Sequence, residues 1–372
     1  MSYNSTHFIG LTARIRRSPY FKATIAAGVK GFTVYNHMLM PTYYESLIAD
    51  YWKLMNGVTV WDVATERQVE ITGPDAYRLM EFITPRDLAR CAIGQCKYVL
   101  LCDENGGIVN DPVLLRLADD HFWLSLADSD VLLWLKGLTA GNDWEVSIAE
   151  PDVSPLAVQG PNSDDLLSKL FGDWVRNLRF FHFREYDWQG IPLVVARSGW
   201  SKQGGFELYL RDSQWGETLW NRIMEAGQEF DIAPAAPSAI ERVESSLLSY
   251  GSDMTLKNNP LELPVAQFCQ LDKPAEYMSR AALHRIRQEG VHQKLKGLIL
   301  QGGQLPSNDE YWTVMKGSEK IGDVSSAAYS PRSRRNLAFA MLSMPFADDS
   351  QTVEVITPDG QRQAGVCELP FK

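Results

Sequence analysis

Twice in this chain a short apolar strand runs into a Gly-Pro turn and then a helix, and this repeated order constrains the fold more than any other feature. The first copy is Gln68-Val69-Glu70-Ile71-Thr72-Gly73-Pro74, followed by a short amphipathic helix over 75–82. The second is Pro155-Leu156-Ala157-Val158-Gln159-Gly160-Pro161, followed by a helix over Ser163–Phe171. Such a unit buries one face of a strand against one stripe of a helix, so two copies predict two related α+β lobes. Within the first lobe, Lys97-Tyr98-Val99-Leu100-Leu101-Cys102-Asp103 and Ile108-Val109-Asn110-Asp111-Pro112-Val113-Leu114-Leu115 flank Glu104-Asn105-Gly106-Gly107. The Asn-Gly pair there supplies the positive φ angles of a tight hairpin turn. A strand over 121–127 follows, and Asp128 or Ser129 is placed to cap a helix through Val131-Leu132-Leu133-Trp134-Leu135. Farther on, a helix over 238–250 sets Ile240, Val243, Leu247 and Leu248 on one face, with Arg242 and Glu244 beside that stripe and Gly251 suited to end it. Beyond a charged helix over 280–288, residues 294–372 are strand-rich. Turn residues at Gly302-Gly303, Pro306-Ser307-Asn308-Asp309 and Pro358-Asp359-Gly360 predict a C-terminal β domain.

With 372 residues, 45% hydrophobic and 22% charged, the chain is long enough for two or three globular domains. Its net charge of -10 argues against a nucleic-acid or anionic-membrane partner, without excluding a local basic pocket for an anionic ligand. Small-molecule chemistry is the expectation. No apolar run approaches the roughly 20 residues of a membrane span, and Met1-Ser2-Tyr3-Asn4-Ser5-Thr6-His7 lacks a signal-peptide core, so a cytoplasmic location is expected. The five cysteines (Cys91, Cys96, Cys102, Cys269, Cys367) form no C-x-x-C pair and read as reduced structural thiols. The six histidines (His7, His37, His121, His182, His284, His292) are scattered, with no spacing suited to zinc, and no metal is expected. A phosphate loop and a G-x-G-x-x-G strand-to-helix turn are both absent, which disfavours mononucleotide, NAD and Rossmann-type S-adenosylmethionine sites.

The segment Arg197-Ser198-Gly199-Trp200-Ser201-Lys202-Gln203-Gly204-Gly205-Phe206-Glu207-Leu208-Tyr209 reads as a ligand-binding corner. After the Gly204-Gly205 turn, period-two alternation faces Phe206 and Leu208 to the core and puts Glu207 and Tyr209 together on the opposite face. A carboxylate accepts the two parallel N–H donors of a guanidine-like pterin edge, and an indole face attracts a cation that carries no hydrogen-bond donors. An amphipathic edge strand with a solvent face fits the same alternation, which does not choose between them.

These residues, with Gly94-Gln95-Cys96-Lys97-Tyr98, Glu104-Asn105-Gly106-Gly107-Ile108-Val109-Asn110-Asp111 and Glu241-Arg242-Val243-Glu244-Ser245-Ser246-Leu247-Leu248-Ser249-Tyr250-Gly251-Ser252-Asp253, resemble the glycine-cleavage T-protein (aminomethyltransferase) family of tetrahydrofolate-dependent enzymes. The resemblance spans nearly the whole chain. Gly31-Phe32-Thr33-Val34-Tyr35-Asn36-His37, Trp61-Asp62-Val63-Ala64, Asn110-Asp111-Pro112-Val113 and Glu150-Pro151-Asp152-Val153-Ser154-Pro155-Leu156-Ala157 make it most similar to that family's dimethylsulfoniopropionate demethylases.

The resemblance implies an α+β, three-domain cloverleaf: two related α+β lobes plus a C-terminal β-barrel or jelly-roll-like domain around a central folate channel. It divides the chain into residues 1–57 with 151–264 (folate-binding domain), 58–150 (second α+β domain) and 265–372 (linker helix and β domain). Carried over by motif position, Glu207 binds the pterin, Tyr98 and Tyr209 line the folate and donor pocket, and Trp200 faces the donor cation. Arg242 reaches toward the folate-tail carboxylates, Tyr35 and Asn36 border the donor pocket, and Asn110, Asp111 and Tyr98 lie at the reacting centre. The implied reaction moves a methyl group from a sulfonium donor directly to tetrahydrofolate. A monomer or homodimer is expected.

One departure bears on the chemistry: the family's Gly-Gly-x-x-Asp-Asp reads Gly106-Gly107-Ile108-Val109-Asn110-Asp111, so an amide stands at the position of the catalytic acid. Methyl transfer from a sulfonium releases a neutral thioether that needs no proton, which an amide permits. An uninterrupted hairpin about Asn105-Gly106 nevertheless puts Asp111, not Asn110, on the face of Tyr98. Leu261-Glu262-Leu263-Pro264 and Ser279-Arg280 also depart from the family pattern at the entry to the third domain. A methylated amine of the dimethylglycine or betaine type, or a methoxy compound, therefore stands as an alternative donor. A folate-binding protein without transferase activity is disfavoured, because the Lys-Gly-Cys-Tyr-x-Gly-Gln-Glu motif of that branch is absent.

Overall fold

The structure is a computed structural model in which residues 10–306, 308–349 and 351–371 are described; the N-terminal segment through His7, and Ser307 of the expected 306–309 turn, lie outside the described residues. The second strand–turn–helix copy sits in the middle of a six-stranded sheet. The order is Phe183–Trp188, Ile191–Ala196, Gly205–Leu210, Ser154–Gln159, Val58–Asp62 and Ile232–Ala235. All pairs are antiparallel except Ile232–Ala235 with Val58–Asp62. Every residue of the three strands Gly205–Leu210, Ser154–Gln159 and Val58–Asp62 is buried. The strand that carries Glu207 and Tyr209 is thus interior, and the solvent-faced edge strand is ruled out. One face packs Leu156, Val158, Phe206 and Leu208 against Leu166, Leu167, Leu219 and Ile223 of two helices, Ser163–Phe171 and Gly216–Ala226.

The first copy lies in a five-stranded sheet ordered Ser147–Ala149, Gln68–Thr72, His121–Ser125, Val113–Ala118 and Gln95–Tyr98. Helices Ala76–Ile83 and Val131–Thr139 cover its outer face through Leu79, Met80, Ile83, Val131 and Leu135. Its inner face contributes Cys96, Leu115 and Trp123 to a cluster with Val194, Ala196 and Tyr209, so the two sheets meet face to face. The expected break before residue 58 falls inside the six-stranded sheet, because Val58–Asp62 pairs with Ser154–Gln159. The C-terminal region closes into a six-stranded barrel, in the order Gln293–Leu300, Arg335–Ser343, Glu319–Ser330, Trp312–Lys316, Thr352–Thr357, Gly360–Cys367. Leu100, Cys102 and Ile108 of the hairpin, Val243 and Met254, and Leu295 and Phe339 of the barrel share one core, which locks the three parts together.

Three local expectations are corrected. In the 104–107 turn only Gly106 takes a left-handed φ (+84°), and Asp103 Oδ1 accepts from the N–H groups of Asn105 (2.9 Å) and Gly107 (2.8 Å), giving a bulged turn. The primed two-residue turn lies instead at Asn36-His37, both at positive φ, joining Gly31–Tyr35 to Met38–Tyr43. Neither Asp128 nor Ser129 caps the Val131–Thr139 helix: Asp128 Oδ1 accepts from the Asn36 N–H, and the Ser129 hydroxyl donates to the Val109 carbonyl. The helix expected over 238–250 stops at Glu244. Ser246 turns left-handed (φ +55°), while the N–H groups of Ser246 and Leu247 close on the carbonyls of Val243 and Arg242, a Schellman ending that needs no glycine.

Gly205 opens its strand at φ +139°, and a Cβ there would lie 2.4 Å from the Val158 carbonyl oxygen and 2.6 Å from Gln159 Nε2. Gly205→Ala is expected to cost at least about 2 kcal/mol, through left-handed strain plus overpacking, read as a lower urea midpoint at unchanged slope.

Candidate active site at the junction of the three domains

Four elements bring the polar groups of the site together. From the six-stranded sheet, Glu207 and Tyr209 point the same way, and the Tyr209 hydroxyl donates to Glu207 Oε2 at 3.2 Å. The Ser198 hydroxyl donates to the same oxygen from the turn before the strand. Glu207 is 5% exposed. Burial raises its pKa against the lowering effect of those two hydroxyls. Gln159, 1% exposed, holds the turn by donating from Nε2 to the carbonyls of Ser198 and Phe206 (both 3.1 Å) and accepting from Ser201 (2.7 Å).

From the hairpin of the first lobe, the Tyr98 hydroxyl donates to Asp111 Oδ2 at 3.1 Å. The expected register holds across the bulge: Leu101 faces Asn110 and Tyr98 faces Val113, so Asp111 shares the face of Tyr98. Burial pushes Asp111 up to about 7, opposed by the bond from Tyr98. Tyr98 packs its ring edge-on to Phe268, with centroids 5.4 Å apart. Asn110 is fully buried and faces away: its Nδ2 donates to Ala127 O (3.0 Å) and Ser129 Oγ (2.8 Å), while Oδ1 accepts from the Ala127 N–H (3.1 Å). That set needs a donor and an acceptor in one side chain, which a carboxylate lacks. Asn110 positions the 127–129 segment.

Asn36 does the same from the other side. It is 2% exposed, and its Nδ2 donates to Thr65 O and Ala127 O (both 3.0 Å), docking the 31–43 hairpin on the first lobe. The pKa of the adjacent Tyr35 phenol is raised by burial and by the charges of Asp111, Glu66 and Asp128.

Arg242 and Trp200 are placed differently from expectation. The Arg242 guanidinium is 8% exposed; it donates to Asp253 Oδ2 (2.6 Å), Ser326 Oγ (2.6 Å) and Leu247 O (3.2 Å). These bonds tie its helix to the barrel. Its carbon lies 5.8 Å from the centroid of the half-buried Trp200 ring, so the cation which that indole meets is Arg242.

Sequence reasoning missed Ser198, Asp253, Ser125 and Glu66. Ser198 and Asp253 lie inside motifs already singled out, and a hydroxyl or carboxylate there was a readable signal. Glu66 lies in the Glu66-Arg67 pair between two strands, which reads as a solvated loop; only packing reveals it. Among the described residues no group of three or more His, Cys, Asp or Glu is placed to hold a metal ion. None of the described helices is long and apolar enough to cross a membrane.

This architecture, with a carboxylate and tyrosines at the meeting of two α+β lobes and a barrel, agrees with the domain matches: residues 20–273 match the GCVT N-terminal domain and residues 293–372 the glycine cleavage T-protein C-terminal barrel domain. The chain belongs to the glycine-cleavage T-protein family. It is 48% identical over 355 residues to dimethylsulfoniopropionate demethylase DmdA of Ruegeria pomeroyi, covering 95% of this chain and 97% of that protein. An aminomethyltransferase of Alkaliphilus metalliredigens is 28% identical, covering 89% and 91%. The crystal structure of the glycine cleavage system aminomethyltransferase T from Bartonella henselae superposes with a TM-score of 0.85 at 22% identity over 96% of this chain and 98% of that one, a likeness of fold.

Removing Arg242 would leave Asp253 buried and uncompensated. Arg242→Ala is expected to destabilise the protein by about 3–5 kcal/mol, measurable by denaturant unfolding, whereas Arg332 is exposed and its buried partner Glu244 keeps the hydroxyls of Tyr51 and Ser330, so Arg332→Ala should cost only about 1 kcal/mol.

Proposed function

We propose that this chain is a tetrahydrofolate-dependent methyltransferase that converts dimethylsulfoniopropionate to 3-(methylthio)propanoate, with formation of 5-methyltetrahydrofolate. The observation that carries the reading is the 48% identity, over nearly the full length of both chains, with the Ruegeria pomeroyi demethylase. The site fits reduced folate on its own chemistry. The Glu207 carboxylate offers acceptors to the pterin edge, and the buried Gln68 Oε1 has no partner among the described residues, an acceptor awaiting a donor.

Reduced folate supplies a secondary ring nitrogen whose lone pair forms the new bond to the methyl carbon, while the broken carbon–sulfur pair stays on sulfur as a neutral thioether. No acid is required for that leaving group, consistent with Asn110 rather than an aspartate in the hairpin. Glu207 and Tyr209 anchor and line the folate pocket, and Tyr35, Tyr98 and Trp200 border the donor. Asp111 accepts the proton that the methylated nitrogen sheds, with Tyr98 holding its carboxylate. Alignment of nitrogen, carbon and sulfur by this frame supplies most of the rate, up to about 7–11 kcal/mol.

Five free thiols support residence in the reducing cytoplasm. A monomeric or homodimeric state is part of the same reading, and light scattering on the purified chain decides between the two.

The reading is tested by anaerobic incubation with tetrahydrofolate and either dimethylsulfoniopropionate or glycine betaine, with both products followed by mass spectrometry. Product from the sulfonium alone is expected. Product from betaine alone would move the donor to a methylated amine, and product from neither would sink the proposal. Asp111 serves as a base only when ionised, so turnover should rise with pH through about 7. Asp111→Asn should lose that limb and on the order of 10²-fold in kcat.

A further inference from the structure

The face of Trp200 is already met by Arg242, at 5.8 Å, so a cationic donor needs a counter-charge elsewhere. Asp253 is committed: it takes the Arg242 guanidinium and the hydroxyls of Ser325 (2.7 Å) and Ser326 (2.5 Å). Glu207 is engaged by Ser198 and Tyr209. Asp111 is held by Tyr98, at 3.1 Å, and among the described residues one further carboxylate of the site is left almost without partners.

That group is Glu66, half-buried on the turn between Val58–Asp62 and Gln68–Thr72. Among the described residues its carboxylate has a single side-chain partner, the Ser125 hydroxyl, 3.5 Å from Oε2 and at the limit of a hydrogen bond. Ser125 is itself held by Gln68 Nε2 at 2.8 Å, and the same Gln68 leaves its buried Oε1 unpartnered. Titration of Glu66 is governed by burial and by the charges of Glu207 and Asp111, while the phenols of Tyr35 and Tyr209 both feel its charge. Geometry agrees: Ser125 pairs with Val113, which faces Tyr98, and the neighbouring Thr65 carbonyl accepts from Asn36 beside Tyr35, so Glu66 lies by the Tyr98–Asp111 hairpin and the 31–43 hairpin. A carboxylate so poor in internal donors, among two tyrosines and two further acids, is costly in an empty site and is relieved by a bound cation that brings no hydrogen-bond donors.

We infer that Glu66 is a specificity-determining residue of the donor site, its carboxylate facing the sulfonium and, with Tyr35, selecting a cationic methyl donor over a neutral one. The inference rests on the demethylase reading above and names the group that supplies its charge recognition. Because the positive charge passes from sulfur to the folate nitrogen within the same enclosure, Glu66 attracts it before and after transfer. Its contribution is to binding more than to the chemical step.

The test compares wild type, Glu66→Gln and Glu66→Asp for steady-state demethylation and for tetrahydrofolate binding by fluorescence titration. Glu66→Gln should raise the KM for dimethylsulfoniopropionate roughly tenfold or more, as loss of a charge contact a few ångströms away implies at an effective dielectric near 20, with kcat within about threefold and folate affinity unchanged. Inhibition by the neutral thioether product should change less than about twofold, and Glu66→Asp should recover part of the lost affinity. An unchanged KM in Glu66→Gln, or an equal loss for cation and thioether, overturns the inference. If Glu66→Gln no longer binds folate, Glu66→Asp decides: loss of folate binding there too assigns Glu66 a structural role and overturns it. Absence of turnover in the wild type falls on the demethylase reading itself.

Discussion

The Arg242–Asp253 pair holds together the parts from which the site is assembled. Arg242 lies on a six-residue helix, Asp253 follows it across a left-handed turn, and Ser326 belongs to the barrel, so one buried ion pair with its hydroxyls joins the lobe of the six-stranded sheet to the barrel. Its strength lies in completeness. Asp253 accepts from the guanidinium, from two serine hydroxyls and from the Ser249 N–H, so burial leaves neither charge uncompensated. The apolar cluster around Val243, Met254, Leu295 and Phe339 packs beside it and removes the pair from water.

Around this junction the chain accumulates carboxyl groups rather than neutralising them. Asp111, Glu66 and Glu207 are all pushed above the ordinary carboxylate range, with burial as the leading cause, and Arg242 is the guanidinium nearest the pocket's indole. Such a site is electrostatically unsatisfied when empty and is relieved by a cation or by a ligand edge rich in N–H donors. Both requirements of the proposed methyl transfer, a sulfonium and a pterin, meet that description. The stability given up in assembling the acids is thereby coupled to ligand binding.

The amides show how the same frame keeps its geometry. Asn110 and Asn36 both donate to the Ala127 carbonyl from opposite sides, pinning the segment after the strand His121–Ser125 between two hairpins. An aspartate at position 110 would bring an unpaired charge to that spot and lose two donated bonds. The change from acid to amide, legible in the sequence as a departure from the family pattern, thus has a structural reason as well as a chemical one.

Contacts between neighbours along the chain were legible before any folding was known. Alternation put Glu207 beside Tyr209, hairpin register put Asp111 beside Tyr98, and the repeated strand–turn–helix order announced two lobes. Each follows from a period of two or of 3.6 residues and survives without knowledge of the rest of the molecule. Tertiary structure decided the partners brought in from afar. Arg242 is 11 residues from Asp253 and 84 from Ser326, and no local pattern says that its charge is consumed there rather than offered to a ligand. The early end of the 239–244 helix, the use of Asp128 and Ser129 as loop ties rather than caps, and the contact of Glu66 with Ser125 were equally unreadable. Long-range packing assigns a polar side chain its partner only once the lobes and the barrel have closed around it, and that closure turned a loop glutamate into a candidate contact for substrate.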